Sequence, residues 1–303
     1  MRTRMLLVAG FGLCACQAPP SNEGISMAAF AEASFAEASF AESSFTEASP
    51  QRAPAPMQLT AGLDPVVAQL LRAMESAYRQ ERRVILENIA NVNSVGYYRR
   101  VVETSIEHIA GADGMTFQLP VVKRVARVFT CGTLEITQRQ LDLAIDGDGF
   151  FSVLRLDGSI GYLRNGCLHF NADGKLVSNN GLIVTPEISV PADVLEIYVD
   201  PSGTVSGRTA GSPDSTTTFG QLNIHRFAHP NGLLFEHGSY RATDVSGQPT
   251  TATPGTNGLG QLKQGFLERS NVQVHQELMR LQQLERQHES VAQVLAHFGM
   301  VAP

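Results

Sequence analysis

The stretch NVQVHQELMRLQQLERQHESVAQVLAHF, residues 271–298, decides the reading of this chain. Within it Leu281, Leu284, His288, Val291, Leu295 and Phe298 recur at alternating spacings of three and four, with Val274 and Leu278 just upstream. That period places them along one side of an α-helix and turns Gln282, Gln283, Arg286, Gln287 and Glu289 elsewhere. At 1.5 Å per residue the segment makes a rod of roughly 40 Å. A single apolar stripe of that length needs a partner helix. Near the other end of the chain, Val67, Leu70, Met74, Tyr78, Ile85, Ile89 and Val92 form a second stripe between Leu63 and Val92. The two ends are therefore expected to form one coiled-coil-like helical unit, with everything between them inserted as a separate body. A plain amphipathic helix on its own globular core is the alternative that periodicity leaves open. His288 interrupts the stripe and reads as a tolerated seam residue; a polar seam residue that sets register is the sharper alternative.

The first helix opens at Asp64-Pro65, an N-cap followed by proline in the first turn. It is expected to stop within Asn88-Ile89-Ala90-Asn91-Val92-Asn93-Ser94-Val95-Gly96-Tyr97, where Gly96 supplies a residue tolerant of positive φ. Asn88 and Asn91 suit capping of backbone groups; pairing with a neighbouring chain is the other reading. Residues 98–128 read as a connector with one or two strands, interrupted by Gly111, Gly114 and Pro120. From 129 to 265 the pattern is β: Leu141, Leu143 and Ile145 alternate with polar residues, and Asp157-Gly158, Asp173-Gly174 and Asn180-Gly181 are turn signals. The class is α+β, terminal helices (63–97 and 266–298) around an inserted, mainly antiparallel β body.

Composition narrows the function. A net charge of −6 over 303 residues argues against a nucleic-acid surface. The four cysteines, Cys14, Cys16, Cys131 and Cys167, form no CxxC pair, and the histidines lack metal-ligand spacing. Cys131 and Cys167 are open to pairing or to remaining free thiols. Asp146-Gly147-Asp148-Gly149 lacks the remaining ligands of a calcium loop and reads as a glycine turn. No nucleophile elbow, phosphate loop or dinucleotide fingerprint occurs, so neither catalysis nor a cofactor is supported. A hydrolase using carboxylates of the β body remains the contrasting hypothesis.

The N-terminus reads as targeting rather than fold. Arg2 and Arg4 precede an apolar run from Met5 to Ala15, the length of a signal-peptide core. Leu13-Cys14-Ala15-Cys16 resembles the lipobox of bacterial lipoproteins, which implies lipidation of Cys16 and a membrane tether. An ordinary cleaved leader (1–16) and a translation start at Met57 are the alternatives. Residues 17–62 read as a disordered linker: Phe30, Phe35, Phe40 and Phe45 recur every five residues, and neither helix nor strand gathers a five-residue repeat on one face.

Three ordered blocks carry a family resemblance. They are the Asn88–Tyr97 signature; Gly132-Thr133-Leu134-Glu135-Ile136-Thr137 with Leu141-Asp142-Leu143-Ala144-Ile145-Asp146-Gly147-Asp148-Gly149-Phe150-Phe151; and Thr253–Gly260 followed by Gln264-Gly265-Phe266-Leu267-Glu268-Arg269-Ser270-Asn271-Val272. Together they resemble the flagellar basal-body rod and hook family, and most closely its distal-rod members. The resemblance implies a non-enzymatic axial protein whose terminal helices pack into an inner coiled-coil tube with the β domain outward. It also implies self-association as a helical homo-oligomer through those stripes, and contact with proximal-rod, hook and bushing-ring proteins. The family motif positions here are Asn88, Asn91, Gly96, Gly147, Gly149, Phe150, Phe151, Gly265, Ser270 and Asn271. The chain departs from the family in its secretory leader, in Met74 where glycine is usual, in Arg286-Gln287-His288 where the family has an Arg-Ala-Tyr-like element, and in a shorter or diverged connector between Tyr98 and Val128. The runner-up is a lipid-anchored envelope paralogue acting as scaffold or adaptor.

Overall fold

The computed structural model describes residues 65–110 and 116–297. The leader with Cys16, the phenylalanine repeat, Met57, Leu63, Asp64, Gly111, Gly114 and Phe298 lie outside the described residues.

Helix α1 spans Pro65–Ala90. Residues 91–97 are therefore turn rather than helix, because Asn91 closes the last turn: its Nδ2 donates to the Glu87 carbonyl at 2.8 Å, and its Oδ1 accepts from Ser94 Oγ at 3.0 Å. Gly96 then reverses the chain at φ +67°, and a Cβ there would sit 2.6 Å from the Asn165 nitrogen. The 98–128 segment is more regular than its composition suggests. Strands β1 (Arg100–Ala110) and β2 (Thr116–Arg127) form a long antiparallel hairpin that packs on α1. Pro120 does not break β2, because a two-stranded sheet leaves every residue at an edge where a missing N–H costs little.

The β body is built from short strands, and all strand pairings among the described residues are antiparallel. Its largest sheet has seven strands in the spatial order Leu234–Glu236, Ser239–Arg241, Ile160–Leu163, Phe151–Leu154, Ile183–Thr185, Leu176–Ser178 and Leu168–Phe170. The adjacent phenylalanines serve two different cores, since neighbouring strand residues face opposite ways. Phe151 joins Leu143, Ile145, Leu163 and Leu262 in the main apolar core, whereas Phe150 packs among Tyr98, Tyr162, Phe227 and Tyr240. The chain does not pass directly from body to terminal helix. Phe266–Glu268 is a strand paired with Leu134–Ile136, and helix α2 begins only at Val274 and runs to His297.

α1 and α2 pack against each other and run antiparallel, so the two ends of the described chain do meet. Leu71, Tyr78, Ile85 and Leu295 are buried, while Val67, Leu70, Met74, Ile89, Val92, Leu281, Leu284 and Val291 are half-buried. Leu71 was absent from the sequence stripe. Val274 and Leu278, which the stripe included, are 36% and 44% exposed.

Phe151 is fully buried and Leu156 fully exposed. Phe151→Ala is expected to destabilise the β body by about 3–5 kcal/mol, and Leu156→Ala to stay within about 0.5 kcal/mol of native. Chemical denaturation of the two variants checks the contrast.

Candidate assembly junction

The family-signature residues converge where the helices meet the β body. Asn88, fully buried at the end of α1, has all its amide groups engaged. Its Nδ2 donates to the Arg100 carbonyl at 2.8 Å and to Glu277 Oε2 at 3.1 Å. Its Oδ1 accepts from the Arg100 N–H at 2.9 Å and from the Tyr97 hydroxyl at 3.2 Å. Glu277, also fully buried, accepts from Arg99 Nε through its other oxygen at 2.5 Å. A carboxylate out of water is tolerable only with such partners. One amide and one carboxylate thus tie the end of α1, the start of β1 and the first turns of α2 into a single knot. Asn271, just ahead of α2, tightens it. Its Oδ1 accepts from the Arg99 N–H at 2.6 Å, and its Nδ2 donates to the Val128 and Thr130 carbonyls at 2.8 and 2.9 Å.

A second buried network joins this knot to the body. Arg164, 3% exposed, pairs with Glu268 and donates to the carbonyls of Ile145, Gly147 and Gly149 at 2.8, 2.7 and 2.5 Å. Ile145 and the turn Asp146-Gly147-Asp148-Gly149 therefore aim three alternate carbonyls, those of residues 145, 147 and 149, at one guanidinium. Glycine is required because Gly147 and Gly149 sit at φ +120° and +148°. Glu268 accepts the Gly132 N–H at 2.7 Å through its other oxygen, and its backbone carbonyl accepts the Gly96 N–H at 2.8 Å. Ser270, mostly buried, accepts the Val272 N–H at 3.2 Å, and the Gly265 N–H donates to the Asp142 carbonyl at 2.8 Å.

The structure brings Asn88, Gly96, Gly147, Gly149, Ser270 and Asn271 around one junction. Asn91 remains a local cap. Sequence reasoning missed Arg99, Arg164, Glu268 and Glu277. Glu277 left a signal: it lies four residues before Leu281, an acid on the apolar stripe. Glu268 stood inside a quoted block, whereas Arg164 follows an ordinary strand and left none. Cys131 and Cys167 are free thiols.

Within the body, His225 bridges Ser152 Oγ and Thr251 Oγ1, each at 2.8 Å. The Ser152 hydroxyl proton goes to the Thr185 carbonyl at 2.8 Å, so His225 Nε2 must donate to the serine rather than accept from it. That is the reverse of a base activating a nucleophile. Burial holds the imidazole down to a pKa of about 4.

The features converge on a structural scaffold protein: buried Glu277, Arg164 and Glu268 are engaged in internal bonds that orient the helices on the β body. Residues 144–207 match the family described as the flagellar hook protein FlgE/F/G D1 domain, and 263–297 match the flagellar basal body rod FlgEFG protein C-terminal family. The chain is 34% identical over 222 residues to the flagellar basal-body rod protein FlgG of Buchnera aphidicola subsp. Acyrthosiphon pisum, covering 68% of this chain and 85% of that protein. It is 34% identical to the FlgG of Agrobacterium fabrum, covering 72% and 90%, and 32% identical to that of Caulobacter vibrioides, covering 75% and 94%. The chain belongs to the flagellar basal-body rod family and is of the FlgG type. It is a structural rod subunit of the basal body, not an enzyme, and the envelope-adaptor alternative gains no support from these relatives.

Two outcomes follow from the buried groups. Glu268→Ala leaves Arg164 buried with its charge unpaired, and a loss of about 3–5 kcal/mol is expected in denaturant titration. His225 has a folded pKa of about 4, below the ordinary histidine value near 6.5. The unfolded chain therefore binds this proton first as pH falls, and stability declines from about pH 6.5 to about pH 4. In His225→Asn that part of the decline should vanish, read from melting temperature against pH.

Proposed function

We propose that copies of this chain stack helically into the distal rod, the shaft that joins the proximal rod to the hook. The observation that carries this is the FlgG-type identity over most of both chains. Support comes from terminal helices whose apolar surface is only partly used within one chain: Leu86, Val274, Leu278 and Met279 are 39%, 36%, 44% and 56% exposed. In this reading α1 and α2 act as a coiled-coil-like inner unit and the β body faces outward. The assembly positions are Val67, Leu70, Met74, Tyr78, Ile85, Ile89 and Val92 on the first helix side, with Val274, Leu278, Leu281, Leu284, Val291 and Leu295 on the second. Contacts between copies are heterologous, the kind that propagates into an open filament instead of closing into a ring. Proximal-rod, hook and bushing-ring proteins are the other partners, in a rod that spans the periplasm. A membrane tether through lipidated Cys16 belongs to this reading only if the leader is made and processed. Intact-mass measurement of the native protein decides that point: a start at Met57 removes the tether and an acylated Cys16 establishes it.

Replacing Leu281 and Leu284 together with asparagine is expected to abolish swimming and to remove the chain from purified basal bodies, while the β body melts as in the native protein. Normal swimming in that double variant would contradict the proposal.

A further inference from the structure

The apolar stripes do not by themselves choose how α1 lies along α2. Leu281, His288 and Leu295 are seven apart, as are Leu284 and Val291, so sliding α2 by one heptad presents nearly the same stripe to α1. The polar contacts between the helices lack that degeneracy. Glu75 Oε2 meets His288 Nε2 at 2.8 Å, and the imidazole stacks on the Tyr78 ring with centroids 3.9 Å apart. Glu81 Oε1 meets Arg280 Nη2 at 3.1 Å, Arg82 Nε lies 3.7 Å from Glu285 Oε1, and Asn88 reaches buried Glu277 at 3.1 Å. The four contacts belong to one antiparallel alignment. A slip of one heptad in one direction would set Glu75, Glu81, Arg82 and Asn88 against Leu295, Gln287, Ala292 and Leu284. In the other direction they would meet Leu281, Gln273, Leu278 and Ser270. Neither slip retains a charged partner, and both leave Glu277 buried without the Asn88 amide.

We infer that Glu75, Glu81, Arg82 and Asn88, with His288, Arg280, Glu285 and Glu277, form a register code that selects one alignment among those the apolar stripes permit. Two of the pairs, Glu81–Arg280 and Arg82–Glu285, flank the seam at partly exposed positions, where each contributes little to stability. Glu75–His288 lies on the seam itself, largely covered, and the buried Asn88–Glu277 bond marks the one alignment that satisfies the carboxylate. Discrimination arises because the wrong alignments are penalised. If the rod reading holds, the same code sorts each α2 to its own α1 when many copies crowd together; the code itself does not depend on that reading.

The test is a charge exchange in the full-length chain, read by hydrogen exchange at Leu281 and Leu284 in low salt. Glu81→Arg and Arg280→Glu each place like charges face to face, and each should speed opening of α2 roughly two- to five-fold. Their combination restores an opposite pair in the same place and should return to within about twofold of native, with the single-variant effects shrinking at high salt. Both substitutions lie on partly exposed helix surface, so the fold is retained. Unchanged exchange in the singles, or a double variant as fast as the two singles combined, overturns the inference. The measurement is made on the unassembled chain, so a failure to form rods in vivo would leave its outcome untouched.

Discussion

The architecture depends on a carboxylate that has been taken out of water. Glu277 stands on the face of α2 that meets α1, and an ion there is stable only if fixed donors replace its hydration. Arg99 and Asn88 supply those donors. Because they come from the end of α1 and the residue just before β1, satisfying one side chain brings two parts of the sequence nearly 200 residues apart to one point. Asn88 has a double part in this. Its remaining groups bond the backbone of Arg100 on both sides, so the strand that leaves the junction does so in a defined direction.

Arg164 and Glu268 extend the same logic into the body. A guanidinium held by three carbonyls and a carboxylate is costly to build and costlier to break, since each partner left alone would be a buried, unpaired polar group. The glycine-rich turn is best understood from this side. Its backbone adopts positive φ so that the alternate carbonyls of residues 145, 147 and 149 can aim at one cation, and it bends the chain through Phe150 into the strand that begins at Phe151. The exposed ion pairs of the surface, such as Lys263 with Asp146 or Arg124 with Glu103, contribute far less. For a structural subunit the consequence is mechanical: stem and body are joined through buried bonds.

The β body manages its own edges. The Gln264 side chain accepts the Val199 N–H at 3.1 Å and donates to the Ile197 carbonyl at 2.8 Å, standing in for a neighbouring strand. His225 joins Ser152 of the seven-stranded sheet to Thr251 of a separate two-stranded one. This polar cluster is a neutral staple, because the serine proton is already committed to a backbone carbonyl.

The sequence by itself determined the class and outline of this protein. Apolar residues at spacings of three and four can only face one side of a helix, and Asp-Gly and Asn-Gly between short β-branched runs can only turn, so two helices around a β body were legible without coordinates. The ordered blocks around Asn88, Phe150 and Ser270 carried the family. Tertiary structure decided the rest. The hairpin of β1 and β2 was obscured because it is held by the cross-strand ladder between residues 100–110 and 116–127, and Pro120 misled where an edge position tolerates it. The start of α2 at Val274 was set by Phe266–Glu268 pairing with Leu134–Ile136, a contact more than a hundred residues away in sequence. Above all, the partners of Glu277, Glu268 and Arg164 follow from no local pattern, since the satisfaction of a buried charge is a property of everything folded around it.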